Sequence, residues 1–384
     1  MNVPEFERDA FYASTPAEIE EVARRLQDAP SLAIDTESDS FYRYHEKVCL
    51  VQITGGGEDY IIDPLLGGGI EPLRELLTRP GVEKLFHSAE NDLVLMERSF
   101  GFRPAGPLFD TFIAAQVSGE PQVGLSALAL KHLDIHLDKR FQKHDWAERP
   151  LLPEHLHYAR GDTHFLHALR EILWAQVVER GREAHTLEEF EVAQARNFER
   201  SPFDPNECLK IQGSRELSQE GLRVLLAVYE ERERLASRVD LPPFRVVSNE
   251  ALMVMAQKLP RNLSDLARIK GVSDRVIRRW SDQFLGAISY GLTQDAPLPK
   301  APPRTPRPKD FEQIEARFQR LRGWREKRCA ELTLPPGIVA SNAILQGLAR
   351  IAPKDAETLK TVPGLRRWQQ AEFGEQWLEI LQSS

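Results

Sequence analysis

The chain has 384 residues, 41% hydrophobic and 28% charged, with a formal net charge of −8 at pH 7. That length predicts two or three domains, and the composition is that of a globular protein rather than a disordered or fibrous one. No run of about eighteen apolar residues is present, which excludes a membrane-spanning helix.

The acidic, polar stretch Met1 to Asp9 does not resemble a signal peptide. Cys49, Cys208 and Cys329 are far apart and odd in number, which points to a reducing compartment and against a thiolate metal site. Charge is unevenly spread. Residues 1–200 carry 21 basic and 35 acidic side chains, residues 201–384 carry 29 and 23. An acidic half beside a basic half fits a metal-loaded catalytic domain with a partner that helps hold a polyanion; ordinary scatter of surface charge is the alternative.

Thr15-Pro16-Ala17-Glu18 predicts a helix start, with Thr15 as cap, Pro16 in the first turn and Glu18 completing a capping box. Ile19, Val22, Ala23 and Leu26 then recur at helical spacing. Leu32-Ala33-Ile34 reads as a buried strand running straight into Asp35-Thr36-Glu37. Residues two apart on a strand share a face, so Asp35 and Glu37 are expected side by side at its C-terminal end, where sites in α/β sheets form. Adjacent carboxylates repel unless a cation lies between them, and all-oxygen ligation suits Mg2+ or Mn2+. A strand end with solvated acids is the plain alternative.

Val48 to Thr54 and Tyr60 to Ile62 are expected strands around a Gly55-Gly56-Gly57 turn, which lacks the Lys-Ser/Thr ending of a phosphate loop. A helix is expected around Leu73 to Leu77 and a short strand over Lys84 to His87. A further helix begins at Ser88 and places Asp92 in its first turn, where a carboxylate is electrostatically favoured. Leu108 to Thr111 is a second strand-to-helix junction, with Asp110 read as a structural cap. Gln122 to Leu133 is expected to be helical and Arg140 to Pro150 a charged, aromatic connector.

Pro153 opens a long helix containing His157-Tyr158-Ala159-Arg160-Gly161-Asp162-Thr163-His164. Tyr158 and Asp162, four apart, share a face of it. Gly161 costs helix stability and predicts close approach of a backbone or ligand. His155, His157, His164 and His167 share no face and match no zinc pattern, so zinc is set aside.

Beyond residue 200 the chain repeats itself. Leu241-Pro242-Pro243 recurs as Leu334-Pro335-Pro336, an offset of 93 that also relates Arg232 to Arg325, Ser248-Asn249 to Ser341-Asn342, Leu252 to Leu345 and Gly271 to Gly364. One offset held without gaps implies two copies of one small helical module. Between them Pro297 to Pro308 holds six prolines with Lys300, Arg304 and Arg307, an extended basic linker.

Asp35, Glu37, Asp92, Tyr158 and Asp162, in that order within an α/β domain, resemble the DEDD exonuclease superfamily in its tyrosine-containing branch. Its three motifs stand here as Asp35-Thr36-Glu37, as Phe86-His87-Ser88-Ala89-Glu90-Asn91-Asp92-Leu93 and as Tyr158 to Leu166. The third is also similar to that of the eukaryotic exosome-associated nuclease. The repeats resemble tandem helicase-and-RNase-D C-terminal (HRDC) modules. One such nuclease domain followed by two modules resembles the bacterial ribonuclease D family.

The resemblance implies a mixed-sheet α/β, ribonuclease H-like core over residues 1–200, then all-α modules over 211–293 and 309–384 joined by a linker at 294–308. It implies 3′→5′ trimming of RNA with a single-stranded 3′ end, typically transfer RNA precursors and other small structured RNAs, by a hydrolase; a cytoplasmic monomer is expected, although the sequence does not fix the oligomeric state. It also implies two divalent ions, Mg2+ or Mn2+. Asp35 would bridge both, Glu37 and Asp162 would complete the nucleophile-side site, Asp92 would support the second ion partly through water, and Tyr158 would orient the attacking water. Four carboxylates are about what such a pair needs, because Mg2+ keeps several waters.

In the first module the loop Ile269 to Ser273 is the best local phosphate candidate, since a glycine turn before a helix N-terminus can meet a phosphate. Lys270, Gly271, Arg275, Arg278 and Arg279 are the candidate nucleic-acid contacts; a solvated helical face is the alternative. The second copy departs after Pro363-Gly364, at Trp368, which leaves its nucleic-acid role open. Two rival readings remain: the same chemistry on DNA, and a non-catalytic RNA-binding scaffold, which predicts a missing carboxylate where all four are present.

Overall fold

The structure, a computed structural model, describes residues 9–196, 202–293, 295–300 and 307–382. The expectations for Met1 to Asp9, and for the linker at 294 and 301–306, fall largely outside the described residues. Six strands, β1 (Phe11–Ala13), β2 (Ser31–Ser38), β3 (Val48–Gly55), β4 (Glu58–Ile62), β5 (Glu83–Phe86) and β6 (Leu108–Asp110), form one sheet in the order β1-β4-β3-β2-β5-β6. β2 pairs antiparallel with β3 and β3 with β4, while the other pairs are parallel, so the sheet is mixed as expected. β2 lies between β3 and β5, its Leu32, Ala33 and Ile34 fully buried, and delivers Asp35 and Glu37 at its end.

Helix α1 (Pro16–Arg25) starts with the capping box read from the sequence: Thr15 Oγ1 accepts from the Glu18 N–H and the Glu18 carboxylate accepts from the Thr15 N–H. α2 (Glu90–Phe100) follows β5 and α3 (Thr111–Val117) follows β6. Asp110 is the cap of α3; its carboxylate accepts from the N–H groups of Phe112 and Ile113, and from Ser88 and Ala89. α4 (Leu125–Leu133) starts later than Gln122 because Gly124, extended at φ −70° and ψ 144°, is its cap. α5 (Pro153–His164) carries the third motif and ends at Phe165; α6 (Leu166–Glu179) and α7 (Glu183–Ala195) complete this part.

The described residues group into two units: 9–38 with 48–196 and 307–382, and 39–47 with 202–293 and 295–300. In the second unit α8 (Gln219–Val239), α9 (Asn249–Lys258) and α10 (Asp274–Gly291) close on Val224, Leu252, Trp280 and Phe284. The loop 39–47 joins them. The N–H groups of Tyr44 and His45 donate to Asp240 Oδ1 at 3.1 and 3.0 Å, the Tyr44 hydroxyl donates to Glu233, and the Arg245 guanidinium lies 4.0 Å over the Tyr42 ring.

The second copy of the repeat, α11 (Phe311–Leu332), α12 (Asn342–Ile351) and α13 (Arg367–Gln382), belongs to the first unit and closes on Leu321, Leu345, Phe373 and Trp377. The offset of 93 is kept down to single bonds. Arg232 Nη1 donates to Val247 O at 3.2 Å and Asn249 Oδ1 at 2.7 Å; Arg325 Nη1 donates to Ala340 O at 2.8 Å and Asn342 Oδ1 at 2.9 Å. Ser248 and Ser341 cap α9 and α12 in the same way.

Candidate active site

Three segments meet at the end of β2. Asp35 and Glu37 come from β2 and Asp162 from α5, and one oxygen of each lies within 4.8 Å of the others. Tyr158 sits one turn before Asp162 on α5, packed on Trp146 (ring centroids 5.7 Å) and Phe141 (5.8 Å). Asp92, in the first turn of α2, stands outside that tight group: its Oδ1 accepts from the Thr36 hydroxyl at 2.5 Å. Thr36 points to the opposite face of β2 from Asp35 and Glu37, so one strand end holds two acids directly and a third through its hydroxyl.

The acids push one another up. Burial is the main cause of the raised Asp35 pKa, and the charges of Asp92, Asp162 and Glu37 add to it. Glu37 is raised by burial, then by Asp162 and Asp92. Asp92 and Asp162 are both pushed up to about 7, chiefly by burial; Asp92 feels Asp110 as well, against the opposing Thr36 hydrogen bond, and Asp162 feels Asp92. Such a group of oxygen donors holds excess negative charge in a partly dry place, which is what a hard divalent cation neutralises. The donor set therefore fits Mg2+ or Mn2+, and among the described residues it is the metal-type grouping of acids present. Tyr158 is raised by burial and then by Asp162, Glu37 and Asp35, so its phenol keeps its proton at neutral pH. A cavity of about 200 Å³ opens beside it, lined by His136, Arg140, His157, Gly161 and Asp162 among others.

α5 is fixed from below. Arg160 Nε donates to Asp59 Oδ2 at 2.5 Å, His164 Nδ1 lies 2.7 Å from the same oxygen, and Thr54 Oγ1 lies 2.8 Å from Thr163 Oγ1 and donates to Asp59 at 2.7 Å. Burial pushes Asp59 up, but the hydrogen bonds from His164, Thr54 and Arg160 outweigh it and hold the carboxyl below its ordinary value. The connector before α5 is anchored by Arg149, which donates to Asp63 Oδ2 at 2.5 Å and to Cys49 O at 3.1 Å.

A 3′-5′ exonuclease profile matches residues 11–178 and the HRDC domain profile matches twice, at 221–288 and 314–381. Ribonuclease D of Gluconacetobacter diazotrophicus is 31% identical over 376 residues, 97% of this chain and 93% of that one; ribonuclease D of Acidiphilium cryptum is 30% identical over 98% and 94%. The chain belongs to the ribonuclease D family. It is accordingly a 3′-5′ exoribonuclease of that family. The crystal structure of Escherichia coli RNase D superposes with a TM-score of 0.70 at 24% identity, covering 98% of this chain and 99% of that one, a likeness of fold. The exosome complex exonuclease RRP6 of Saccharomyces cerevisiae is 28% identical over 69% of this chain and 38% of its own length.

Against this ribonuclease D-family frame, Asp35, Glu37 and Asp162 converge with Tyr158 beside them, and Asp92 stands behind Thr36. In the first HRDC module Lys270, Gly271, Arg275, Arg278 and Arg279 are all exposed. Gly271 has φ +93°, a turn conformation that favours glycine, and an added Cβ there would lie a tight 3.2 Å from the Ala251 Cβ. Sequence reasoning missed the supports: Thr36, Arg149, and the Asp59–Arg160–His164 group. No local signal marks them, since each partner lies more than fifty residues away.

No helix of the described residues is long and apolar enough to cross a membrane. Cys49, Cys208 and Cys329 form no disulfide, and the first two are buried.

Proposed function

We propose that this ribonuclease D-family chain trims single-stranded 3′ ends of RNA with two divalent ions, Mg2+ or Mn2+, held by Asp35, Glu37, Asp92 and Asp162. The observation that carries the reading is the convergence of Asp35, Glu37 and Asp162 within 4.8 Å. When bound, the ions supply an acidified water and stabilise charge on the scissile phosphate. Asp35, Glu37 and Asp162 would hold one ion between β2 and α5, and Asp92, fixed by Thr36, would support the second. Tyr158 keeps its proton and orients the attacking water as a hydrogen-bonding hydroxyl rather than as a base.

His136, Arg140 and His157 face the RNA backbone from the cavity beside Tyr158. Lys270, Arg275, Arg278 and Arg279 are the proposed contacts to RNA phosphates in the first module, with the Gly271 turn at the start of α10. Transfer RNA precursors and other small structured RNAs are the proposed substrates, in keeping with the structured-RNA processing assigned to the E. coli relative. Three cysteines that form no disulfide support a reducing, cytoplasmic location. We propose that the chain works as a monomer, divided into a nuclease domain to residue 200 and modules at 211–293 and 309–384 around the linker 294–308.

A 5′-labelled RNA with a single-stranded 3′ end, incubated with Mg2+ or Mn2+, with EDTA, and with Asp35→Ala, tests the reading. A ladder shortening from the 3′ end is expected, lost with EDTA and reduced roughly 10³-fold or more in the variant. Internal cuts would keep the metal chemistry and remove the exonuclease mode. Equal cleavage of a matched DNA would remove the RNA preference that contact to a 2′-hydroxyl provides.

A further inference from the structure

Gln52 lies in the middle of β3 and is fully buried, yet neither its Nε2 nor its Oε1 has a hydrogen-bond partner among the described residues. A buried amide that makes no hydrogen bond is a cost to the fold, and such groups are rare in native interiors. An apolar residue of the same size would fill the place without that penalty. The register shows what the amide faces. β2 and β3 are antiparallel, and Gln52 stands directly opposite Asp35. Opposite residues of an antiparallel pair project to the same face with their Cβ atoms roughly 4.5–5.5 Å apart. On that face Thr54, opposite Ala33, meets Thr163 of α5, and Leu50, opposite Glu37, packs with Tyr158 and Ala159. Gln52 is therefore enclosed between β3 and α5, next to the carboxylate at the centre of the acidic group.

We propose that Gln52 is a positioning residue for Asp35, its amide engaged when a divalent ion is held by the acidic group. Its Nε2–H would donate to an Asp35 oxygen, and its Oε1 would accept from a water near the acidic group. The inference rests on the metal reading of the acidic site. The chemistry explains why an amide, and no charged group, occupies the place. A fifth carboxylate would add to the repulsion among the four acids, and a lysine would neutralise the acids permanently and compete with the ion. An amide adds no charge and offers one donor and one acceptor. Partners behind metal ligands fix ligand orientation, and their loss weakens metal affinity about 10–100-fold.

The test uses the full chain, wild type and Gln52→Met, with Mn2+ as the probe. Two quantities are read on each: the melting temperature without metal, and the Mn2+ dissociation constant by calorimetry. Gln52→Met is expected to melt at or above the wild-type temperature without metal, because it removes an unsatisfied amide, and to bind Mn2+ at least about tenfold more weakly. A lower metal-free melting temperature with unchanged Mn2+ affinity would make Gln52 an ordinary structural residue and overturn the proposal. Absence of Mn2+ binding by the wild type would instead remove the metal reading itself, and this proposal with it.

A measurement on the wild type needs no variant. Gln52 and Gln369 are the buried glutamines among the described residues, and Gln369 already donates to Ile338 O at 2.8 Å. With 15N-glutamine labelling, one solvent-protected side-chain amide pair should shift on Mg2+ addition while the other stays. If neither moves, the proposal fails even where Gln52→Met does not fold.

Discussion

The two HRDC modules have the same helices, the same serine caps and the same buried arginine clasp, yet their corresponding faces are used in opposite ways. In the first, the start of α10 is capped by Ser273 and surrounded by exposed Lys270, Arg275, Arg278 and Arg279. At the offset of 93 those four cations become Pro363, Trp368, Ala371 and Glu372. The start of α13 is instead seated on α7. Arg366 pairs with both oxygens of Glu189 at 3.0 and 3.1 Å, the N–H groups of Arg367 and Trp368 donate to Glu188 at 2.8 and 3.0 Å, and Arg367 reaches Glu191 at 2.6 Å. Carboxylates of the nuclease thus occupy at the second copy the kind of place that phosphates are proposed to occupy at the first. One scaffold, duplicated, serves as an internal brace in one copy and presents a basic surface in the other.

Reversing the charge at the seat gives the largest effect. Glu189 is 12% and Arg366 20% exposed, and Glu189 also accepts from the Trp368 indole at 3.2 Å. Glu189→Arg leaves like charges facing in a poorly solvated place, for an expected loss of about 3–5 kcal/mol in chemical unfolding. Arg366→Glu added to it should restore most of the loss. An unaltered unfolding curve would mean that the seat contributes nothing and that the two copies differ only in surface charge.

Next comes the first module. Replacing Lys270, Arg275, Arg278 and Arg279 together by alanine is expected to weaken RNA binding by roughly 10–100-fold. The slope of log affinity against log salt should flatten by up to about 3, the value for four lost phosphate contacts to a single strand. Filter binding at several salt concentrations reads both, and a slope equal to that of the wild type would show that this face does not hold RNA.

The smallest effect is pH-dependent and confined to the second module. His185 of α7 stacks on Trp368 at 4.3 Å and lies 3.2 Å from Glu372. Burial holds its pKa below the ordinary 6.5, although Glu372 pulls the other way. The folded chain therefore binds fewer protons than the unfolded one in the window below 6.5, so this contribution to stability is present above 6.5 and is lost as pH falls through the folded value. Protease cutting should increase around α13 at pH 5 relative to pH 7.5, with α10 unchanged. Equal loosening of both helices would place the acid sensitivity elsewhere.

The parts of the fold and site that could be read from the chain are those with a short period. Asp35 and Glu37 follow the two-residue repeat of a strand, Tyr158 and Asp162 the turn of a helix, and the modules a constant offset of 93. What could not be read depends on pairing across the chain. Gln52 is one polar residue in an apolar strand until the register sets it opposite Asp35. Thr36 reads as a spacer between two acids, and only the fold brings Asp92 to its hydroxyl. Glu188 and Glu189 carry no short-period signal; only the fold sets the second module against them. The late start of α4 has a local cause, the extended Gly124, which a leucine-rich pattern masks.

The loop between β2 and β3 bears on how such a chain can be cut and recombined. It leaves the sheet directly after Glu37 and Ser38, takes its partners from Glu233, Asp240 and Arg245, and returns at Val48. A fragment ending near residue 200 would keep every proposed ligand and still lose those partners of Tyr42 and Tyr44. The apparent cut point between nuclease and first module is thus a poor one for expression and for genetic shuffling. A graft that exchanges the module must exchange residues 39–47 with it.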